Sequence, residues 1–150
     1  MNKLIVCVDF DGTCVTHEFP EVGKDIGAVP VLKKITEAGH KLVLFTMRSE
    51  KQSEIAKKGS LGWDNPEQLS LDTNVLEDAV NWFKKHNIPL YGINENPEQK
   101  TWTNSPKAYG QIYIDDAALG CPTAFNPELS FRPYVDWHIV ESMLKQMKVI

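Results

Sequence analysis

The stretch LIVCVDFDGT, Leu4 to Thr13, decides how the rest of the chain is read. Leu4 to Val8 is an unbroken apolar run, the pattern of a strand covered on both faces. It ends abruptly in two carboxylates, Asp9 and Asp11, followed by Gly12 and Thr13. Acids at the mouth of a buried strand are costly unless something compensates them.

The same pattern recurs downstream. Ile26 to Ala38 carries apolar residues at helical spacing, with Pro30 in the first turn and Gly39 as the stop. Lys41 to Phe45 is a second apolar strand, ending at Thr46, Met47 and Arg48. Residues 49–72 are polar and broken by Gly59, Gly62 and Pro66; they read as a short helix near Ser49–Lys58 and a loop, room for a small insert. The next helix has Val75, Leu76, Ala79, Val80 and Phe83 on one face, with Asp72 or Thr73 as its expected cap. NIPLYGI (87–93) is a short third strand, NENPEQKTWTNSP (94–106) a loop, and Gln111 to Ile114 a fourth strand. That strand again stops at acids, Asp115 and Asp116. ALGCPTAFNPELSFRP (118–133) reads as irregular, and Pro133 to Lys148 as a closing amphipathic helix.

Strands alternating with helices predict an α/β domain with a mainly parallel sheet. Ligands in such sheets bind beyond the carboxyl ends of the strands, where the polar residues here collect. A chain of 150 residues with net charge −4 fits one domain, residues 1–150, and argues against nonspecific binding to nucleic acid or to an anionic membrane. No apolar run reaches the roughly 18 residues of a membrane span. Cys7, Cys14 and Cys121 match no metal-knuckle spacing and read as reduced thiols of a cytoplasmic protein.

The converging acids repel one another, and a divalent cation such as Mg²⁺ relieves that with oxygen ligands and neutralises an incoming phosphate. Asp9, directly off its strand, is placed to attack phosphorus. Asp11 is placed to protonate the leaving oxygen while its carbonyl reaches the metal. Gly12 and Thr13 let the turn approach the substrate closely. The Thr46 hydroxyl and the N–H groups of Met47 and Arg48 are candidates for a phosphoryl oxygen, with the Arg48 fork as a clamp. Lys107 and Lys100 are the candidate phosphate lysines. His17 is either a surface histidine or a substrate contact. Trp82 and Trp137 read as helix core, whereas Trp63 and Trp102 lie in loops and are free to stack on a base or sugar.

These residues resemble the haloacid-dehalogenase-like (HAD) superfamily of phosphohydrolases: DxDGT at Asp9–Thr13, LVLFTMR ending near Thr46, and IYIDD with Asp115 and Asp116. The resemblance implies a three-layer Rossmann-like core, Asp9 as nucleophile and Asp11 as acid/base. It assigns Mg²⁺ to Asp9, the Asp11 carbonyl and Asp115 or Asp116, and favours Lys107 over Lys100. Positions 14–45, 32 residues, are used by a flap (about 14–25), one helix and one strand, so no separate cap domain is expected. The expected substrate is a phosphorylated small molecule or a phosphorylated nucleic-acid end. The rival expectations are a phospho-accepting module, a metal- or phosphate-binding scaffold, and a phosphotransferase.

Overall fold

The computed structural model describes residues 2–50 and 74–150. The expected helix near Ser49–Lys58, the insert and Trp63 lie essentially outside them. The described elements are β1 (Ile5–Val8), α1 (Ala28–Glu37), β2 (Lys41–Leu44), α2 (Val75–Lys85), β3 (Gly92–Ile93), β4 (Ile112–Ile114), β5 (Thr123–Ala124), β6 (Tyr134–Val135) and α3 (Trp137–Gln146). Four strands form one sheet in the order β3-β2-β1-β4, every neighbouring pair parallel. The acid-bearing strand β1 is central, with Val8 opposite Leu44 on one side and Ile114 on the other. All three strands therefore run out at one level.

Parallel crossovers share one hand, and that sorts the connections between the two faces. The chain moves from β1 to β2 to β3 in one direction, through α1 and α2, and those helices share a face. The return from β3 to β4 runs the other way and so covers the opposite face. The packing agrees. Val6, Val8, Leu42 and Leu44 join a core with Leu32 and Ile35 of α1, Phe83 of α2 and Val140 of α3. Cys7 and Val43, alternating with them, meet Ala108 from the return segment. This is the expected α/β architecture with helices flanking a parallel sheet, and no separate cap stands among the described residues.

Several boundaries differ from the expectation. The α2 cap is Asn74, whose side chain accepts the Glu77 N–H, not Asp72 or Thr73. The third strand shrinks to Gly92–Ile93, because Pro89 has no N–H to donate to the ladder. The last helix starts at Trp137, capped by Asp136; Tyr134–Val135 instead pairs antiparallel with Thr123–Ala124, inside the stretch read as irregular. Two-residue strands are too short for an alternation signal. No helix among the described residues is long and apolar enough to cross a membrane.

Candidate active site

The site grows from the end of β1. The Asp9 N–H donates to Ile114 O at 3.0 Å, so the β1–β4 ladder runs to the first acid and sets it beside Asp115. The chain then turns sharply, with the Cys14 N–H returning to Phe10 O at 2.8 Å. Gly12 is left-handed at φ +78°, and a Cβ there would lie 2.0 Å from His17 Nε2 and 2.7 Å from Asp116 Oδ2. The turn is held from behind as well. The indole N–H of Trp137 donates to Thr13 O at 2.6 Å, and the Val135 N–H to Gly12 O at 2.9 Å.

Asp9, Asp115 and Asp116 each offer an oxygen within 4.8 Å of the others. Around a cation with bonds of roughly 2.0–2.1 Å, opposite ligands stand about 4.2 Å apart and adjacent ones about 2.9 Å, so the oxygens draw in by up to about 2 Å to share it. Thr13 ties the acids together. Its hydroxyl donates to Asp9 Oδ2 at 2.8 Å, lies 3.3 Å from Asp116 Oδ1 and accepts the Asp116 N–H at 3.1 Å. Thr13 is fully buried, so it orders the carboxylates and does not face a substrate as the sequence reading had it. Asp116 also meets His17 Nε2 at 2.9 Å. Asp9 and Asp115 line one cavity of about 190 Å³, together with Phe45 and Tyr113.

The crowding shows in protonation. Burial, then the Asp115 carboxylate, push Asp9 up to about 8, against opposing hydrogen bonds from Thr13 and the Phe10 backbone, with Asp116 adding to the rise. Burial, chiefly, also raises Asp115. A carboxyl raised in the folded state binds its proton more tightly there than in the unfolded chain. Metal-free stability therefore falls as pH rises from about 4 through about 8. A cation bound by these oxygens displaces that proton, so its stabilisation grows over the same range. Thermal melts with and without Mg²⁺ at pH 6 and pH 8 will show the larger upward shift at pH 8; equal shifts would mean that the cation binds elsewhere.

Asp11 points elsewhere. Its Oδ2 accepts Arg48 Nε–H and its Oδ1 accepts Arg48 Nη2–H, both at 2.8 Å. The remaining guanidinium protons go to the carbonyls of Pro20, Glu21 and Val75. All five donors are used, the side chain is 1% exposed, and it sits 5.0 Å from the Phe10 and Phe19 rings. Arg48 is thus no free substrate clamp; it fastens Asp11 to the flap and to the start of α2. The start of the flap is packed, with Cys14, Val15 and Thr16 buried.

Past β2, the Thr46 N–H donates to Asn94 Oδ1 at 2.7 Å, and the Thr46 hydroxyl accepts the Arg48 N–H at 3.1 Å. Of the expected phosphate donors, the Thr46 hydroxyl proton and the Met47 N–H have no partner among the described residues, and Met47 is 88% exposed. Lys107 Nζ lies 5.5 Å from the centre of the Tyr113 ring, one ring from the Asp9 cavity. Lys100 pairs with Glu95 at 3.6 Å and lines a separate cavity beside Asn94 and Asn96. Burial drives the Cys7 thiol up to about 11 and also raises Cys14, which makes both poor nucleophiles.

Three contributors escaped the sequence reading. Its position on the last helix reads Trp137 as helix core, and only its indole N–H betrays the second role. Asn94 gave a weak signal, as the residue type that tolerates the left-handed φ of 56° it adopts. His17 carried none that separated it from a surface histidine.

No family model matches this chain, and no curated protein does. A solved structure does: a conserved protein coded by a locus of Bacteroides thetaiotaomicron is 24% identical, with 97% of this chain and 93% of that chain covered at a TM-score of 0.67. At that identity the likeness concerns the fold, and it spans nearly the whole length of both chains.

Proposed function

We propose that this protein is a Mg²⁺-dependent phosphomonoester hydrolase of HAD type that works through an aspartyl-phosphate on Asp9. The observation that carries the reading is the convergence of Asp9, Asp115 and Asp116 within 4.8 Å at adjoining strand ends, with Asp9 opening on a cavity. Bound there, Mg²⁺ would offset the charge of the acids and of the phosphoryl oxygens. Thr13 holds Asp9 Oδ2, which leaves Oδ1 to face phosphorus. An Asp9 oxygen–phosphorus bond forms as the bond to the leaving oxygen breaks, and Asp11 gives that oxygen a proton. Water then attacks phosphorus and gives a proton to Asp11 as the Asp9 oxygen–phosphorus bond breaks, which frees inorganic phosphate and restores the Asp9 carboxylate. The Thr46 hydroxyl, the Met47 N–H and Lys107 steady the phosphoryl oxygens. Paired with Arg48, Asp11 is a carboxylate, so it serves as the acid only after one of its two Arg48 bonds loosens and the freed oxygen takes up a proton from solvent.

A chromogenic phosphate monoester tests this. We expect Mg²⁺-dependent release of phosphate that EDTA abolishes. With acetyl phosphate, a long-lived phosphoprotein without turnover would instead identify a phospho-accepting module.

A further inference from the structure

Resting on the hydrolase reading, we propose that the groove formed by Trp102, Lys107, Tyr109 and Tyr113 is a subsite for the base of a nucleoside monophosphate whose phosphate lies at Asp9. The groove, about 330 Å³, is lined by these four residues and by Thr103 and Ser105. Tyr113 joins the two sites, since it lines both this groove and the Asp9 cavity. A ligand running from one to the other crosses Lys107, whose ammonium lies over that ring.

The groove is built. Gln99 is buried, and its amide donates to Ser105 O at 2.9 Å and to Lys107 O while accepting the Tyr109 N–H at 2.8 Å. Asn96, also buried, donates to Tyr109 O at 3.1 Å. The Tyr113 hydroxyl donates to Ala108 O at 2.6 Å. Buried amides thus hold a surface loop in one shape, which lowers the ordering cost when a ligand binds. On that rigid loop the large aromatic surface faces outward. Trp102 is 63% exposed, edge-on to the half-exposed Tyr109 at a centroid distance of 5.3 Å. An open indole face takes a planar ring without regard to its hydrogen-bonding edge, and hydroxyls such as those of Thr103 and Ser105 suit a sugar. Among the described residues that line the groove, Lys107 is the cation, and it lies over the ring of Tyr113, the residue both cavities share.

The test compares adenosine 5′-monophosphate with glycerol phosphate, a primary phosphoester lacking the plane, on the Mg²⁺-loaded full chain. Trp102→Ala will raise KM for the nucleotide about 5- to 100-fold, as expected for a lost stacking platform. It will leave kcat, and KM for glycerol phosphate, within about twofold. Trp102→Phe will restore most of the nucleotide KM. An equal change for both substrates, or none, overturns the subsite while leaving the hydrolase standing. Calorimetric titration of the nucleotide into Asp9→Asn separates the converse case. Trp102-dependent binding without turnover by the wild type keeps the subsite and removes the hydrolase; no binding and no turnover removes both.

Discussion

Asp9→Asn will reduce phosphate release by at least about 10³-fold, the scale on which removal of a covalent nucleophile acts. The amide keeps the shape of the side chain and can still accept from Thr13, so the fold is expected to survive. Metal-free Asp9→Asn is in fact expected to melt higher than wild type near pH 8, because it removes the carboxyl that burial and Asp115 make hardest to ionise. The pair of outcomes is diagnostic. Lost turnover with an unchanged or raised melting temperature places the defect in chemistry. Turnover equal to wild type would remove Asp9 as the nucleophile, and a lower melting temperature would mean that its charge is stabilising.

Arg48 carries the second large effect, and it falls on stability. Arg48→Met strips a buried ion pair of one partner and leaves the Asp11 carboxylate facing an apolar chain. It also orphans the carbonyls of Pro20, Glu21 and Val75. Breaking such a pair costs about 3–5 kcal/mol, which for a chain of this size lowers the melting temperature by roughly 6–20 °C. Asp11 keeps 19% of its side chain exposed, which points to the lower half of that range. Arg48→Lys will recover little, since an ammonium cannot supply two parallel bonds and three further donors. Adding Asp11→Leu to Arg48→Met will return part of the loss by removing the stranded charge. A substrate clamp would behave oppositely, with normal melting and a raised KM.

The sequence made the fold legible because its signals were local and redundant. Leu4–Val8, Lys41–Phe45 and Gln111–Ile114 each pair an apolar run with polar residues at the carboxyl end, and a parallel sheet brings three such ends to one level. Asp9, Asp115 and Asp116 therefore came together as expected. Arg48 was misread because spacing placed it two residues past Thr46 but said nothing of what its five donors would meet. Its partners lie 27 to 37 positions away in sequence, on the flap, the first turn and the start of α2. Thr13 was misread for a related reason, since its proximity to Asp116, 103 positions distant, arises only from the β1–β4 pairing. The β5–β6 pair and the shortened third strand were settled by tertiary context, which overrides local preference in elements of two residues.

The bond from the Asp9 amide to Ile114 fastens the proposed nucleophile to the middle of the sheet. Its hydrogen exchange should then be as slow as that of the sheet itself, through global opening. A floor that rigid cannot admit substrate or expel product by breathing. Among the described residues, the walls beside it are the Arg48-fastened flap and the Gln99-braced loop.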